Sequence, residues 1–216
     1  MPPKDNLESP IEIQKGLTAE QLPEAVALFD VAFQSKLAIA IPDAAIRREF
    51  FGKIFHADSC ISATLDGKVV GFVGFQTATE AFSGGITGVG VPWQKLRTHL
   101  GFLAGIRAAL IFAIFHRKPE PGTLILDGVT VDTTLRGRGI GKLLMDAVLK
   151  YAAAESFKQV KLGVLDTNTV AKTLYEKAGF VVAGKKDLGW WRHLLGAGGY
   201  YIMICPIAPQ PNGAVP

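Results

Sequence analysis

The sequence has little of what metal centres and disulfide-stabilised scaffolds require. Only two cysteines occur, Cys60 and Cys205, and they lie far apart in the chain without the close spacing of paired metal ligands. We therefore expect two buried free thiols rather than a disulfide, and no metal site. The isolated histidines His99, His116 and His193 are interpreted as ordinary polar residues rather than metal ligands.

Charged residues are also scarce. Asp, Glu, Lys and Arg make up 19% of the 216 residues, the formal net charge is +4, and no long run of Lys and Arg occurs. This composition favours a well-packed globular protein over a disordered one and argues against a nucleic-acid surface, while the mild basicity suits a small polyanionic ligand. The length suits one domain over residues 1–216.

No segment is typical of a secretory signal or of a membrane span. Residues 1–10 are polar and proline-rich, so we expect a cytoplasmic protein. The apolar stretch 100–115 is 16 residues long with Arg107 in its middle. A span needs about 20 apolar residues and a central arginine is costly there, so we expect no stable membrane insertion.

The segment 81–118 is predicted to be an apolar helical insertion before the next strand. Residues 93–115 are apolar at nearly every helical face, and a helix of this kind is usually buried. We expect it to cover one face of the sheet or to meet a second copy of the chain in a homodimer. Contact with a membrane surface is a third alternative. At the other end of the chain, residues 206–216 are predicted to form an irregular tail.

Local patterns also place elements upstream of this insertion. Thr18 and Gln21 have capping-box spacing, which predicts a helix that runs to about Phe33, and a second helix is predicted from Asp43. An Asp-Gly turn at 66–67 between two apolar segments predicts a β-hairpin.

A glycine-rich hexapeptide at 136–141 follows the insertion. It lies between Thr123–Val131, which is typical of a buried strand, and an amphipathic helix predicted from Ile140. Unpaired backbone amides at a helix start can bind an anion, and glycine adds no Cβ to obstruct it. The hexapeptide therefore predicts a diphosphate site, with a plain glycine turn as the structural alternative. Its residues are Arg136, Gly137, Arg138, Gly139, Ile140 and Gly141.

A second motif lies downstream, and the two together resemble the GNAT superfamily, whose enzymes transfer acyl groups from acyl-CoA to amines. The resemblance implies an α/β fold with a mixed, mostly antiparallel central sheet that is flanked by helices. It also implies that the sheet is split near Val131 and Val164 and that the acyl-CoA lies in this split. The second motif consists of Asn168, Ala171, Leu174, Tyr175 and Gly179 with Phe180.

The resemblance implies which residues bind the co-substrate. The backbone amides of 136–141 would hold the CoA diphosphate, and backbone groups near Val129 and Val131 would pair with the pantetheine amides like an added strand. Asn168 would contact the pantetheine arm, although a plain helix cap is an equal alternative. Direct phosphate contacts from the side chains of Arg136 and Arg138 stay open, because the amides suffice.

Two residues are candidates for proton transfer. Tyr175 matches the family's usual general acid. A tyrosine hydroxyl has a pKa of about 10 and can protonate a leaving thiolate while staying protonated at neutral pH, although ordinary core packing is the alternative. Asp127 lies two residues before Val129 on the same strand face, the side that should point toward the acceptor groove, and is a candidate base. Local hydrogen bonding, or pairing with an arginine such as Arg107, is its alternative.

We therefore expect an N-acyltransferase that uses acetyl-CoA or another acyl-CoA as co-substrate and needs no metal. It would act by direct attack in a ternary complex on a primary amine of a small molecule or peptide. The alternative is a non-catalytic acyl-CoA-binding module that acts through a partner. The acceptor is not identified, because the segments expected to contact it, at 30–58, 81–118 and 186–199, match the family least.

Overall fold

The computed structural model describes residues 9–78, 93–114 and 120–208. Within these ranges, seven strands form one sheet in the order β1-β2-β3-β4-β5-β7-β6. All neighbouring strands are antiparallel except β4 and β5, which run parallel. The predicted mixed, mostly antiparallel sheet is confirmed. The strands are β1 (Glu12–Lys15), β2 (Cys60–Leu65), β3 (Lys68–Gln76), β4 (Thr123–Val131), β5 (Gln159–Leu165), β6 (Val181–Asp187) and β7 (Gly199–Pro206).

Helices cover both faces of this sheet and form two separate apolar cores. One core joins the first helices to the sheet around Phe29, Phe51 and Phe72, and the other packs around Leu124 and Leu144 on the opposite face. The helices are α1 (Leu22–Ala40), α2 (Ala44–Ile54), α3 (Trp93–Leu100), α4 (Phe102–Ile114), α5 (Ile140–Ala154), α6 (Thr169–Lys177) and α7 (Arg192–Leu195).

Side-chain caps form where the sequence patterns predict them. Thr18 and Gln21 exchange the two reciprocal hydrogen bonds of a capping box just before α1. The Asp43 carboxylate begins α2 by accepting a hydrogen bond from the amide three residues later. Helix α1 continues to Ala40 rather than ending near Phe33, because its second half packs into the first core.

A buried ion pair fixes α1 against α2. Asp30 on α1 accepts hydrogen bonds from Arg47, which is equally buried, and from the half-exposed Arg48. Arg47 also donates to the carbonyl oxygens of Ile41 and Pro42 at distances of 2.8 and 3.0 Å. Because each charge has several partners, the pair can be buried and the end of α1 is held in one position.

The apolar insertion is predicted to be one helix buried on all sides. The structure instead shows two helices. Gly101 has a φ of +77°, which breaks the helix between α3 and α4, and the two helices pack on each other through Gly105 and Leu96. The inward side of the pair is buried, whereas Leu103 and Leu110 on the outward side are exposed. The rest of the predicted insertion, at 81–92 and 115–118, lies outside the described residues.

No single helix in the described ranges is long and apolar enough to cross a membrane. Helices α1 and α2 meet the length and composition criteria only as a pair, and the chain bends by 106° between them. The predicted tail also needs correction, because Pro206 is the last residue of β7 and pairs with Gln159. Residues 209–216 lie outside the described part.

The parallel strands β4 and β5 stay together for only three residue pairs. Their ladder ends at Ile125 and Lys161, after which the strands part. The split therefore begins well before Val131 and Val164, where the sequence placed it. This early divergence opens a cleft between the remaining parts of β4 and β5.

Candidate active site

A cleft of about 990 Å³ fills the split between β4 and β5. The last residues of the two strands form its walls, the start of α5 closes one end and α1 with α4 closes the other. The cleft extends from the 136–141 hexapeptide at one end to residues of α1 at the other. Of the predicted site residues, those that line it are Asp127, Val129, Val131, Arg136, Gly137, Gly139, Ile140, Gly141, Asn168 and Tyr175.

A β-bulge at Asp127 shapes the wall that β4 contributes. Gly74 of β3 pairs with Gly128 and Phe75 pairs with Leu126, so Asp127 is the extra residue in β4. The bulge shifts the alternation of side chains, because Leu126 and Val129, three residues apart, pack against the same core. The two-residue spacing alone therefore does not place Asp127 on the face of Val129, although both residues line the cleft.

The edge of β4 that faces the cleft is open beyond Ile125. From Leu126 to Val131, β4 pairs with β3 on its other edge, and no described strand pairs with the cleft edge. An extended ligand can add to such an edge through its amide groups. Val129 and Val131 therefore lie where the sequence predicts backbone contacts to a linear arm.

The hexapeptide forms a turn that ends in the first residue of α5. Gly137 and Gly139 have φ angles of +81° and +84°, a backbone conformation that other residues rarely adopt, and Gly139 is the N-cap of α5. Gly139, Ile140 and Gly141 form the start of α5, where the first backbone amides have no intrahelical acceptor. They therefore form a set of free donors at the positive end of a 15-residue helix, which fits the oxygens of a phosphate group.

Gly141 serves helix packing rather than the turn. A Cβ built there would lie 3.0 Å from Cδ2 of Leu174, so the first turn of α5 lies directly against α6. By contrast, a Cβ at Gly137 or Gly139 would meet no atom within 4 Å. The first two glycines are thus needed for their backbone angles and the third for close contact.

Positive charge surrounds the hexapeptide. Arg136 lines the cleft, and so do Lys142 and Lys177, which the sequence analysis did not single out. Lys142 forms an ion pair with Asp146 one helical turn later, at 2.6 Å. Arg138 is exposed and does not line the cleft. Among the two arginines, only Arg136 is therefore placed for a side-chain contact with a ligand in the cleft.

Asn168 and Tyr175 both lie on the wall contributed by α6. The Asn168 side-chain oxygen accepts a hydrogen bond from the Ala171 amide at 3.2 Å, so the residue caps α6. Tyr175 is buried, lines the cleft and packs its ring against Phe180, with a centroid separation of 6.0 Å. Core packing and access to the cleft are therefore combined in one tyrosine.

The opposite end of the cleft is aromatic and apolar. The rings of Phe29 and Phe33 on α1 lie over Gly128, whose missing Cβ would stand 3.2 Å from Phe29. Phe112 of α4 continues this aromatic surface, and Lys36 is the positively charged residue that lines this end of the cleft. Sequence patterns did not identify these side chains, because a core residue and a cleft residue share the same helical spacing.

Neither cysteine lines the cleft. Both are free and buried, as predicted. Burial raises the pKa of the Cys60 thiol to about 12, with the nearby Asp58 carboxylate adding to the effect. A thiol of this kind is a poor nucleophile at neutral pH. Within the described ranges, no group of three or more His, Cys, Asp or Glu residues could hold a metal ion.

Comparison with known protein families shows which family the chain belongs to. The model of the acetyltransferase (GNAT) family matches residues 26–180, which include the open edge of β4, the hexapeptide and α6. The chain belongs to the GNAT family. The predicted membership is therefore confirmed, and its motifs coincide with the walls of the cleft.

Two groups of curated relatives match shorter segments. Human N-acetylaspartate synthetase is 37% identical over 68 residues, which are 32% of this chain and 22% of that protein. Spermine/spermidine N(1)-acetyltransferase of Bacillus subtilis is 27% identical over 88 residues, which are 40% of this chain and 58% of that protein. The chain thus matches about a fifth of the first relative and little more than half of the second.

Solved structures share the fold over nearly the whole chain. An N-acetyltransferase from Staphylococcus aureus Mu50 has a TM-score of 0.64 at 14% identity, covering 89% of this chain and 99% of its own. The ribosomal-protein-S18-alanine N-acetyltransferase from Escherichia coli has a TM-score of 0.54 at 16% identity, covering 94% and 98%. At these identities the comparison shows the fold alone.

Proposed function

We propose that the protein is an N-acetyltransferase that transfers the acetyl group of acetyl-CoA to a primary amine of a small molecule or peptide. One observation carries the proposal: a single cleft joins the amides of 136–141 to Tyr175 and continues to the aromatic end beside α1. We further propose that it acts in the cytoplasm, and a homodimer stays a prediction.

The cleft offers partners for two parts of acetyl-CoA, the diphosphate and the pantetheine arm. The amides of 136–141, with Arg136 beside them, would hold the diphosphate. The open edge of β4 at Val129 and Val131 would pair with the amides of the pantetheine arm, and Asn168 would contact the same arm from α6. Bound in this way, acetyl-CoA supplies a thioester that an amine can attack.

Tyr175 is proposed as the general acid. Its hydroxyl belongs to a buried side chain on the cleft wall, so it can donate a proton to the departing thiolate sulfur, and the tyrosinate that forms must regain a proton before the next turnover. Asp127, on the bulge of the opposite wall, is the proposed base that takes a proton from the acceptor ammonium, so that the neutral amine can attack the thioester. The two residues thus act on opposite sides of the reacting carbon.

Direct attack in a ternary complex is favoured over a covalent acyl-enzyme. A covalent route would need a reactive nucleophile in the cleft, and both cysteines lie outside it. A direct route needs both substrates together, and the one cleft has room for the arm at one end and an amine at the other.

The charges in the cleft bear on the acceptor. Among the described lining residues, Asp127 is the sole acid, whereas four are basic. Arg136 and Lys142 lie at the hexapeptide end, where the diphosphate would offset their charge, whereas Lys36 lies over the Phe33 ring at the opposite end. Lys36 would repel a second positive charge on the amine, so the acceptor proposed is an amine that carries no further positive charge. The basic lining residues are Lys36, Arg136, Lys142 and Lys177.

Replacing the tyrosine hydroxyl tests the proposal. In Tyr175→Phe, kcat for a responsive amine should fall about a hundredfold or more, because the general acid is removed. The affinity for acetyl-CoA, measured by calorimetry, should stay the same. Tyr151→Phe is the matched control, because that ring stacks on Phe75 away from the cleft and its loss should leave kcat unchanged. Undiminished turnover in Tyr175→Phe would refute the acid role.

A further inference from the structure

Helices α3 and α4 together form a helical hairpin. The outward side of this hairpin is an exposed apolar face, which we call the hairpin face. It consists of five large side chains with their exposed fractions: Leu103 at 81%, Phe102 at 62%, Leu110 at 60%, Trp93 at 40% and Ile106 at 38%. Trp93 and Phe102 contact each other edge to face, with a centroid separation of 6.0 Å. Such a contiguous group differs from single exposed apolar residues, which are common on any protein surface.

The hairpin stays attached to the domain through its opposite side. Leu96, Ala108 and Phe112 are buried in the first core, and the Arg107 side chain donates to the carbonyl oxygen of Ala40 at 3.1 Å. The hairpin face is therefore held outward by a packed inward side. It needs no unfolding of the domain to become available.

The charges on the two helices are all of one sign. Lys95, Arg97 and Arg107 lie on α3 and α4, and neither helix contains an Asp or Glu. Glu49 of α2 lies near His99 of α3 and forms an ion pair with Lys53 at 2.5 Å. Among the described residues of α3 and α4, Lys95 and Arg97 therefore form a basic border beside the apolar face, and no acidic residue lies on these two helices.

We propose that the hairpin face docks on an anionic lipid surface. Amphipathic helices with Trp, Phe and Leu on one side and basic residues beside them lie in the interface of a bilayer, with their apolar side among the acyl chains and their cations at the lipid phosphates. The two short helices lie on the surface and do not cross it. A symmetric contact between two copies would instead bring these cations together, which disfavours a second copy as the occupant.

Docking has a consequence for the cleft. Ile111 and Phe112, on the inward side of α4, line the end of the cleft beside α1. Because the hairpin face is the other side of this helix, the lipid surface would lie about one helix diameter from that end of the cleft. The proposal does not depend on the acetyltransferase assignment, because binding to lipid is measured without turnover.

Vesicle co-sedimentation of the full chain tests the proposal. The protein should sediment with vesicles of phosphatidylcholine and phosphatidylserine, should not do so with phosphatidylcholine alone, and should be released as salt rises. Leu103→Glu should weaken binding to the anionic vesicles at least about tenfold, because a buried leucine contributes at least that factor. Replacing Lys95 and Arg97 together by alanine should weaken it as well.

A matched control separates the hairpin face from general surface effects. Val181→Glu places the same charge at a valine that is 56% exposed on β6, the strand at the far edge of the sheet, and should leave vesicle binding unchanged. Unfolding in urea checks that both variants are folded. Three results would overturn the proposal: no sedimentation, equal binding to neutral vesicles, or a dimer in ultracentrifugation that Leu103→Glu disperses.

Discussion

Gly141 and Leu174 hold the proposed anion-binding turn and the proposed catalytic tyrosine in one unit. A Cβ at Gly141 would stand 3.0 Å from Cδ2 of Leu174, and Tyr175 is the next residue along α6. Helix α5 begins in the hexapeptide and α6 begins at Thr169, so this contact sets the distance between the two ends of the proposed co-substrate site.

Gly141→Ala should therefore impair catalysis more than folding. The added methyl group displaces Leu174 and with it Tyr175, so kcat should fall about threefold to tenfold, since small misplacements of catalytic groups are costly. The affinity for acetyl-CoA should change less. Steady-state kinetics check the first expectation and calorimetry the second. Adding Leu174→Ala should restore kcat in part, and a double variant as slow as the single one would argue against this contact as the cause.

Gly139→Ala should destabilise the protein and weaken binding of acetyl-CoA. At a φ of +84°, alanine costs roughly 1–2 kcal/mol and turns the neighbouring amides away from the anion. Gly52→Ala is the matched control, since it also meets no atom within 4 Å but lies inside α2 without a positive φ. It should raise the free energy of unfolding by about 0.5–1 kcal/mol. Changes of the same sign in both variants would contradict the interpretation.

Asn168 offers a way to separate its two roles. Asn168→Ala removes the cap of α6 and should cost about 1 kcal/mol of stability, as measured by denaturant unfolding. Asn168→Asp keeps an oxygen for the Ala171 amide, so stability should be retained. If the amide group also contacts acetyl-CoA, the KM for acetyl-CoA should rise in both variants. An unchanged KM for acetyl-CoA in Asn168→Asp would indicate that Asn168 serves only as the cap of α6.

The buried thiol of Cys60 predicts how stability depends on pH. Its pKa is raised from 9.0 to about 12, so only the unfolded chain releases the proton between these values. The free energy of unfolding should therefore fall above pH 9.0 by up to about 1.4 kcal/mol per pH unit for this group. Cys60→Ser keeps a donor for the carbonyl oxygen of Ala57 without this titration. Urea unfolding of both proteins at several pH values should show that the free energy of unfolding falls more steeply with pH in the wild type. The same pH dependence in both proteins would contradict this role of Cys60.

Local turn chemistry explains which parts of the fold could be predicted from the sequence. Asp66 and Gly67 adopt the positive φ angles that an Asp-Gly hairpin requires, and Gly139 does the same at the start of α5. These positions depend on the backbone preferences of one or two residues. The turn at the hexapeptide and the cap at Asn168 could therefore be predicted from the local sequence.

Features that depend on packing could not be predicted in this way. The bulge at Asp127 arises from the pairing of β3 with β4, and no local residue pattern marks it. Phe29 and Phe33 have helical core spacing, and only the parting of β4 from β5 turns them into a cleft wall. The break at Gly101 did have a signal, a single glycine inside an apolar segment.

Release of free thiol from acetyl-CoA, followed over a panel of amines, tests the central proposal most directly. The account predicts thiol release that depends on an amine, saturates with both substrates, and is lost in Tyr175→Phe but kept in Tyr151→Phe. Binding of acetyl-CoA in the same preparation, without release in the presence of any amine, would contradict it and favour a non-catalytic acyl-CoA-binding module.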